Sequence, residues 1–273
     1  MAEQQIFEFR GVDKFYFAEV TKDDATGYVT GTPFAVAGVA QISRTTESNS
    51  EAHYYDNIPA VVVMNTSSDT VTINASAVPL DVIAKLTGQA YDSATGSLVE
   101  AVRDVKYFAI GYKTKKTNGD EMYVWRYKGT FNIPDETNIT EDASTTANGQ
   151  ELVFTGISTS YKFAKTGKGA KALVVDTAKE LANVTNFFTA VVTPDTLAAA
   201  TQRTVTITEA ANTTVTVLKN GSIPVETGDK VNDGDRLTIT VTGGTVTVNA
   251  QAFYSGDTHV VTGNVAIVSA ASA

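Results

Sequence analysis

The chain has 273 residues, no cysteine, two histidines and a net charge of −9 at pH 7, and 42% of its residues are hydrophobic. The lack of cysteine excludes disulfides, thiolate catalysis and cysteine-based zinc sites. An acidic chain repels phosphate, so we expect no sequence-specific binding to nucleic acid. No apolar run approaches the roughly 18 residues of a spanning helix, and the N-terminus lacks a secretory leader, so we expect neither membrane association nor Sec export.

The first two thirds of the chain shows the pattern of strands. Aromatic and β-branched residues alternate with single polar residues, as they do in strands with one buried face. We read residues 65–69 (NTSSD) as a turn, and Asn118-Gly119 as a type I′ hairpin turn. The strand candidates are residues 6–20, 34–42, 60–64, 70–74, 102–114, 121–131 and 151–164.

Two segments have helical features. Residues 78–88 carry Pro79 where a first helical position would be and Gly88 just beyond the last, which favours a helix between them. Residues 177–180 (TAKE) resemble a capping box, and apolar residues follow at helical spacing, so we predict a second helix over residues 176–187. That apolar stripe consists of Ala178, Leu181, Val184 and Phe188.

The composition changes after residue 195. Threonine and valine alternate in short runs that turns interrupt at Asn220-Gly221, Gly228-Asp229 and Gly243-Gly244. Short strands at this spacing are typical of a small β-sandwich. We therefore predict a domain over residues 1–195, a linker over 196–202 and a second, mainly β domain over 203–273.

Several motifs suggest chemistry without completing it. Residues 229–235 (DKVNDGD) resemble a calcium loop, but valine stands at its third position and Thr240 at its twelfth, so we interpret them as a solvated turn. Residues 165–169 (KTGKG) lack the first glycine and the final Ser or Thr of a phosphate loop, which favours a flexible surface loop. His53 has no second histidine nearby for a metal. Trp125 could stack on a sugar, although core packing is the preferred interpretation. We predict no catalytic residue, no metal site and no cofactor.

Residues 41–59 (QISRTTESNSEAHYYDNIP) form a long polar segment between two apolar runs, and we interpret them as a loop. Loops of this length in compact domains are usually functional or disordered.

Taken in order, five stretches resemble the major tail tube proteins of bacteriophages with long non-contractile tails. They are residues 11–18 (GVDKFYFA), 42–57, the helix that ends at Gly88, 127–131 (YKGTF) and 187–194 (FFTAVVTP). The resemblance covers roughly residues 6–195, and the order of the stretches carries it, since none is specific alone.

The resemblance implies a tail-tube β-sandwich or barrel with one or two short flanking helices, and a C-terminal domain similar to the immunoglobulin-like decorations of some tail tubes. It implies hexameric rings that stack into a hollow tube in the virion tail, assembled in the host cytoplasm. The partners would be other copies of the chain, the tape-measure protein and tail-end proteins. DNA would pass through the lumen without specific binding.

Against this background, residues 41–59 are predicted to be an arm that is mobile in the free subunit and ordered between stacked rings. We expect its charged and aromatic residues to contact neighbouring subunits: Arg44, Glu47, Glu51, His53, Tyr54, Tyr55 and Asp56. The alternative is a surface-exposed or carbohydrate-binding β-protein that uses Trp125 or the C-terminal domain. A hydrolase remains only as a residual possibility, because no nucleophile and base can be assembled.

Overall fold

The structure is a computed structural model, and it describes residues 6–35, 38–55, 58–135 and 149–272. The chain is mainly β and divides into two compact units. The first unit is Met1–Lys179 with Val184–Leu197, and the second is Glu180–Asn183 with Ala198–Ala273. The sequence led us to expect one crossing, through residues 196–202. The division adds an earlier excursion, in which four residues join the second unit before the chain returns to the first.

One mixed-length sheet organises the first unit. The elements of this unit are β1 (Phe9–Asp24), β2 (Gly27–Thr30), β3 (Phe34–Ala35), β4 (Val39–Tyr55), β5 (Ile58–Ala75), α1 (Leu80–Thr87), β6 (Ala90–Asp92), β7 (Ser97–Val99), β8 (Phe108–Lys116), β9 (Glu121–Phe131), β10 (Gln150–Ile157) and β11 (Ala172–Asp176). The sheet has nine strands, seven of them in the order β2-β1-β8-β9-β10-β5-β4, with β3 paired to β1 and β11 paired to β9. Strands β6 and β7 pair with each other in a separate two-stranded sheet.

A single apolar cluster forms the core of this unit. Phe15 and Phe17 come from β1, near one end of the sheet, and Val71 and Ile73 come from β5, near the other end. Because strands from both ends contribute to the same cluster, the sheet wraps around its apolar face. This arrangement is sandwich-like, and it confirms the mainly β prediction.

Helix α1 (Leu80–Thr87) confirms the first predicted helix. It starts after Pro79 and ends at Gly88, which has a φ of 76° and donates its backbone N–H to the Ala84 carbonyl. Only glycine suits position 88, because a Cβ there would lie 2.0 Å from the Asp104 carbonyl oxygen. Ile83 and Leu86 are buried in the core cluster.

The second predicted helix is wrong. Strand β11 runs to Asp176, a single 3₁₀ turn follows at Thr177–Lys179, and turns and irregular chain continue from there. The hydroxyl of Thr177, expected to cap a helix, instead bonds with the backbone of Glu121 in β9, accepting from its N–H and donating to its carbonyl at 3.0 Å each. Leu181, expected on the buried stripe, is 59% exposed.

Four other predictions for the strand regions change in detail. The predicted strand 102–114 begins only at Phe108, since residues 102–107 are irregular. The β8–β9 hairpin forms, but of its two central residues only Gly119 has a positive φ, 95°, so the turn is not type I′. Strand β5 runs unbroken through the predicted turn at residues 65–69. Strand β10 ends at Ile157, so the last part of the predicted strand 151–164 is irregular.

The second unit is a two-sheet β structure around one core. The strands are β12 (Gln202–Thr208), β13 (Thr214–Lys219), β14 (Ile223–Pro224), β15 (Lys230–Asn232), β16 (Arg236–Thr242), β17 (Gly244–Val248), β18 (Gln251–Phe253), β19 (Thr258–Val260) and β20 (Val265–Ala271). One sheet has the order β15-β12-β20-β17-β18 and the other β14-β13-β16-β19, and buried residues from both sheets share one cluster. The first and last strands of the unit, β12 and β20, run parallel.

The early excursion is hydrogen-bonded into the second unit. The N–H of Asn183 donates to Ala198 at 3.0 Å, and the N–H of Ala200 donates to Leu181 at 2.9 Å. Ala182 and Ala199 form an isolated antiparallel bridge. Among the described residues, no helix is both long and apolar enough to cross a membrane.

Candidate assembly surface

The loop prediction for residues 41–59 is wrong, because residues 41–55 belong to strand β4 and residues 58–59 begin strand β5. Strand β4 pairs antiparallel with β5 from Val39 opposite Ala75 to Tyr55 opposite Ile58, with register shifts near Thr46 and His53. The loop prediction failed because it weighed polarity alone. The segment between Val39 and Ile58 contains neither glycine nor proline, and its serines and threonines are compatible with a strand whose faces meet water.

The β4–β5 hairpin has an inner and an outer part. In the inner part, β5 also pairs with β10, up to Gly156 opposite Asp69. We define the outer part as residues 48–55 of β4 and residues 58–66 of β5. Within the described chain, these two segments pair with each other and with no other strand. At about 3.4 Å per residue, the eight residues 48–55 extend roughly 27 Å. The outer hairpin therefore depends on its own ladder, without support from the sheet.

The outer hairpin is exposed wherever its side chains are described. Ser48, Ser50, Ala52 and His53 are exposed, and Ile58 is 65% exposed. Side chains 59–66 lie outside the described part, although their sequence includes the apolar run AVVVM. β4 is also the last strand of the sheet order, so one side of its backbone has no strand beside it in the described residues. Exposed edges of this length readily pair with another chain.

The structure separates the predicted contact residues along the hairpin. Arg44 and Glu47 lie in or next to the inner part. The guanidinium of Arg44 donates from Nη1 to Thr46 Oγ1 at 2.8 Å, and Glu47 accepts a hydrogen bond from the hydroxyl of Ser68 at 3.2 Å. Glu47 thus links β4 to β5 within the chain.

Four of the remaining predicted residues belong to the outer hairpin. Glu51 pairs through its backbone with Val63, His53 with Val61, Tyr54 with Pro59 and Tyr55 with Ile58. The side chains of Glu51, Tyr54 and Tyr55 are outside the described part, and Asp56 lies wholly outside the described residues. Of this group, only His53 has a described side chain, and it is exposed.

A buried charged cluster at the base of the hairpin was missed by the sequence analysis. Asp69 is 3% exposed, and its Oδ2 accepts a hydrogen bond from Nη1 of Arg126 at 2.7 Å. Arg44 Nη1 lies 3.7 Å from Oδ2, and Lys171 Nζ lies 3.3 Å from Oδ1. Asp69 had been assigned to a turn. The absence of glycine in residues 65–69 was the available signal that the strand continues.

Opposing effects set the ionisation of Asp69. Burial raises the pKa of this carboxyl, but a hydrogen bond from Thr46 and the charges of Arg126 and Lys171 outweigh burial and leave the pKa below its usual range. The carboxylate is therefore ionised at neutral pH and holds three cations at the hairpin base. Asp69 lies in β5 and Arg126 lies in β9, so their buried ion pair ties these two strands together. Removing either side chain would leave the opposite charge buried without a counter-ion.

In both loop motifs, the nearby carboxylates accept hydrogen bonds from other groups of the protein. In residues 229–235, Asp233 accepts a bidentate pair of hydrogen bonds from Arg203 at 2.6 and 2.8 Å, and Asp229 and Asp235 accept hydrogen bonds from backbone N–H groups of their own turns. In the loop before residue 169, the carboxylate of Asp195 accepts the N–H groups of Ala164 and Lys165 at 2.9 and 2.8 Å. These contacts agree with the interpretation of residues 229–235 as a turn. Residues 165–169, which we expect to form a flexible surface loop, are held at their start by Asp195 and by a bridge between Phe163 and Lys168.

Trp125 is buried completely, and its indole N–H donates to the carbonyl of Phe187 at 2.8 Å. Because no part of the ring reaches the surface, Trp125 cannot be a platform for a sugar. The carbohydrate-binding alternative is therefore left with the C-terminal domain alone. Among the described residues, no group of three or more His, Asp or Glu side chains is arranged to hold a metal ion.

No protein-family model matches the chain, and no curated protein matches it in sequence.

Proposed function

We propose that this chain is a structural subunit that assembles with copies of itself into hexameric rings, which stack into the tail tube of a bacteriophage. The observation that carries the proposal is the outer β4–β5 hairpin, which extends roughly 27 Å with each strand paired only to the other in the described chain. Such an arm costs backbone order, and all of its described side chains are exposed, so a contact outside the subunit would account for its presence.

The edge of β4 supports the same proposal. A strand edge that receives a strand from a neighbouring copy extends the sheet by main-chain hydrogen bonds. Contacts that close by rotation give rings, and contacts along the axis that do not close give filaments. Subunits of this kind bury obligate interfaces of about 2,000 Å² or more. DNA would pass through the lumen, where net negative charge disfavours adhesion.

The second unit fits an immunoglobulin-like decoration on the outside of the tube. Its two sheets enclose one core, and its first and last strands lie parallel in one sheet. Ending the chain after Pro194 should leave tubes that are intact but thinner. Because residues 180–183 belong to the second unit, the truncated chain should carry a short Gly/Ser bridge in their place.

The test is electron microscopy of the purified full chain at high concentration, compared with a variant without the outer hairpin. The variant deletes residues 48–66 and joins Glu47 to Ser67 through Asn-Gly, which removes both strands in register. Deleting only residues 45–51 would leave β5 unpaired and confuse misfolding with lost assembly. The control carries Ser48→Thr and Ser50→Thr, which keep the strand.

The wild type and the control should form tubes. The variant that lacks residues 48–66, called the trimmed variant, should form no tubes but should stay soluble with unchanged Trp125 emission. Tubes from the trimmed variant would refute the role of the hairpin. A wild-type protein that remains monomeric at high concentration would refute the function itself.

A further inference from the structure

The first unit contains a cavity that lies against the core cluster and reaches Arg44 at the base of the β4–β5 hairpin. It has a volume of about 620 Å³ and opens between β1, β4 and the β8–β9 hairpin. This volume falls within the usual range of small-molecule pockets, about 300–1,000 Å³. Its apolar lining includes Val12, Ile42, Tyr112, Met122, Val124 and Val174.

Two guanidinium groups also line the cavity, those of Arg44 and Arg126. No Asp or Glu side chain lines it among the described residues. The carboxylate of Asp69 neutralises part of this charge, but Lys171 also contacts it. Three cations, Arg44, Arg126 and Lys171, thus surround one anion, and the cluster has a formal charge of +2. An apolar cavity beside this excess positive charge favours a ligand that carries one negative charge on an apolar body.

The buried guanidinium has unused bonding capacity. The side chain of Arg126 is 7% exposed, and within the described residues its Nε has no hydrogen-bond partner. An unsatisfied buried donor is costly, and an oxygen of a bound ligand would remove that cost. Arg44 is half exposed, and of its nitrogens only Nη1 makes a contact recorded in the described chain.

We propose that this cavity binds a small amphiphilic carboxylate, a medium-length alkyl chain whose carboxylate lies against Arg44 and Arg126. The alkyl chain would cover the valine, isoleucine and methionine side chains, and the carboxylate would complete the bonding of the two guanidinium groups. A neutral alcohol of the same length gains the apolar contacts alone. An alkylammonium brings a cation to a site with excess positive charge.

The test is calorimetric titration of the full chain, as unassembled subunits, with octanoate, 1-octanol and octylammonium. Octanoate should bind with one site per chain, 1-octanol at least about tenfold more weakly, and octylammonium not measurably. Octanoate binding should also weaken as salt is added. Failure of octanoate to bind, or equal affinity for 1-octanol, would overturn the proposal.

Two variants locate the site. Arg44→Gln, at a half-exposed position, should weaken octanoate about tenfold and leave 1-octanol unchanged, whereas Arg203→Gln in the second unit should change neither. Val174→Trp places a large ring on a half-exposed lining residue and should abolish binding of both ligands, with an unchanged circular dichroism spectrum as the check on folding. Unaltered octanoate binding in both variants would place the ligand elsewhere and refute the cavity. This outcome is independent of tube formation.

Discussion

Gly111 in β8 lies directly opposite Trp125 in β9, and the indole fills the space that a side chain at 111 would need. A Cβ at position 111 would lie 2.7 Å from two carbon atoms of the ring. The glycine thus forms the recess in which Trp125 becomes fully buried and bonds to Phe187. The identity of one residue determines where the single tryptophan of the chain can pack.

Gly111→Ala should therefore destabilise the first unit by about 1–3 kcal/mol, because the indole must shift within a packed core. Urea unfolding followed by Trp125 fluorescence measures this unit directly. Gly31→Ala is the control, since a Cβ there meets its nearest atom at 3.8 Å and no positive φ constrains it. Equal midpoints for the two variants would contradict the close contact.

The segment that replaces the predicted second helix should depend on Phe187. This ring is 2% exposed and packs edge-on against Tyr123 at a centroid distance of 5.3 Å. Phe187→Ala should cost about 3–5 kcal/mol, because it opens a cavity beside Tyr123 and Phe188. It should also shift Trp125 emission to longer wavelength, because Phe188 packs on the indole and the carbonyl of residue 187 accepts the indole N–H. Leu181→Ala, at an exposed position of the same sequence stretch, should change stability by less than about 0.5 kcal/mol. A loss at Leu181 as large as that at Phe187 would instead favour the predicted helix, in which Leu181 lies on the buried stripe.

The sequence predicted local structure best where a special backbone residue enforces it. Gly88 ends α1 at a positive φ, and Gly119 closes the β8–β9 hairpin. Period-two alternation located most strands, because a half-buried strand imposes that period. Both signals act within a few residues and need no tertiary information.

The errors arose where a distant partner decides the conformation. Thr177 has the sequence context of a helix cap, yet its hydroxyl bonds across to Glu121 in β9. Asp69 has a polar context typical of a turn, yet Arg126 holds it inside the sheet. In the polar strand of the outer hairpin, residues 48–55, every described side chain is exposed, so the sequence has no buried face there for pattern reading to detect. Periodicity cannot detect a strand that is exposed along its length.

Asp69 should make the first unit sensitive to acid. Its folded pKa is below its unfolded value, so its stabilisation is present above about pH 4 and is lost as pH falls through the folded pKa. Asp69→Asn should cost about 3 kcal/mol at pH 7, because Arg126 is left buried without its counter-ion. Thermal unfolding should show the difference from wild type narrowing below about pH 4. Asp104→Asn, at an exposed position, is the control and should unfold at the same temperature as wild type at pH 7.

The excursion of residues 180–183 makes a prediction for the second unit. Glu180 Oε2 accepts a hydrogen bond from Lys219 Nζ at 2.5 Å, and Lys219 is only 7% exposed. Glu180→Gln should destabilise this unit by about 2 kcal/mol, since the ammonium loses its counter-ion while still largely buried. The loss should appear as faster amide hydrogen exchange in β13 and β16, whereas β8 and β9 in the first unit keep their protection.

A second substitution separates loss of charge compensation from loss of packing. Adding Lys219→Met to Glu180→Gln removes the uncompensated charge and keeps an unbranched apolar chain at the site, so protection in β13 should recover. If the double variant exchanges as fast as Glu180→Gln alone, an uncompensated charge at Lys219 does not cause the loss. Glu180→Gln keeps the backbone carbonyl that accepts the Asn232 side chain at 3.2 Å, so this contact is present in both variants.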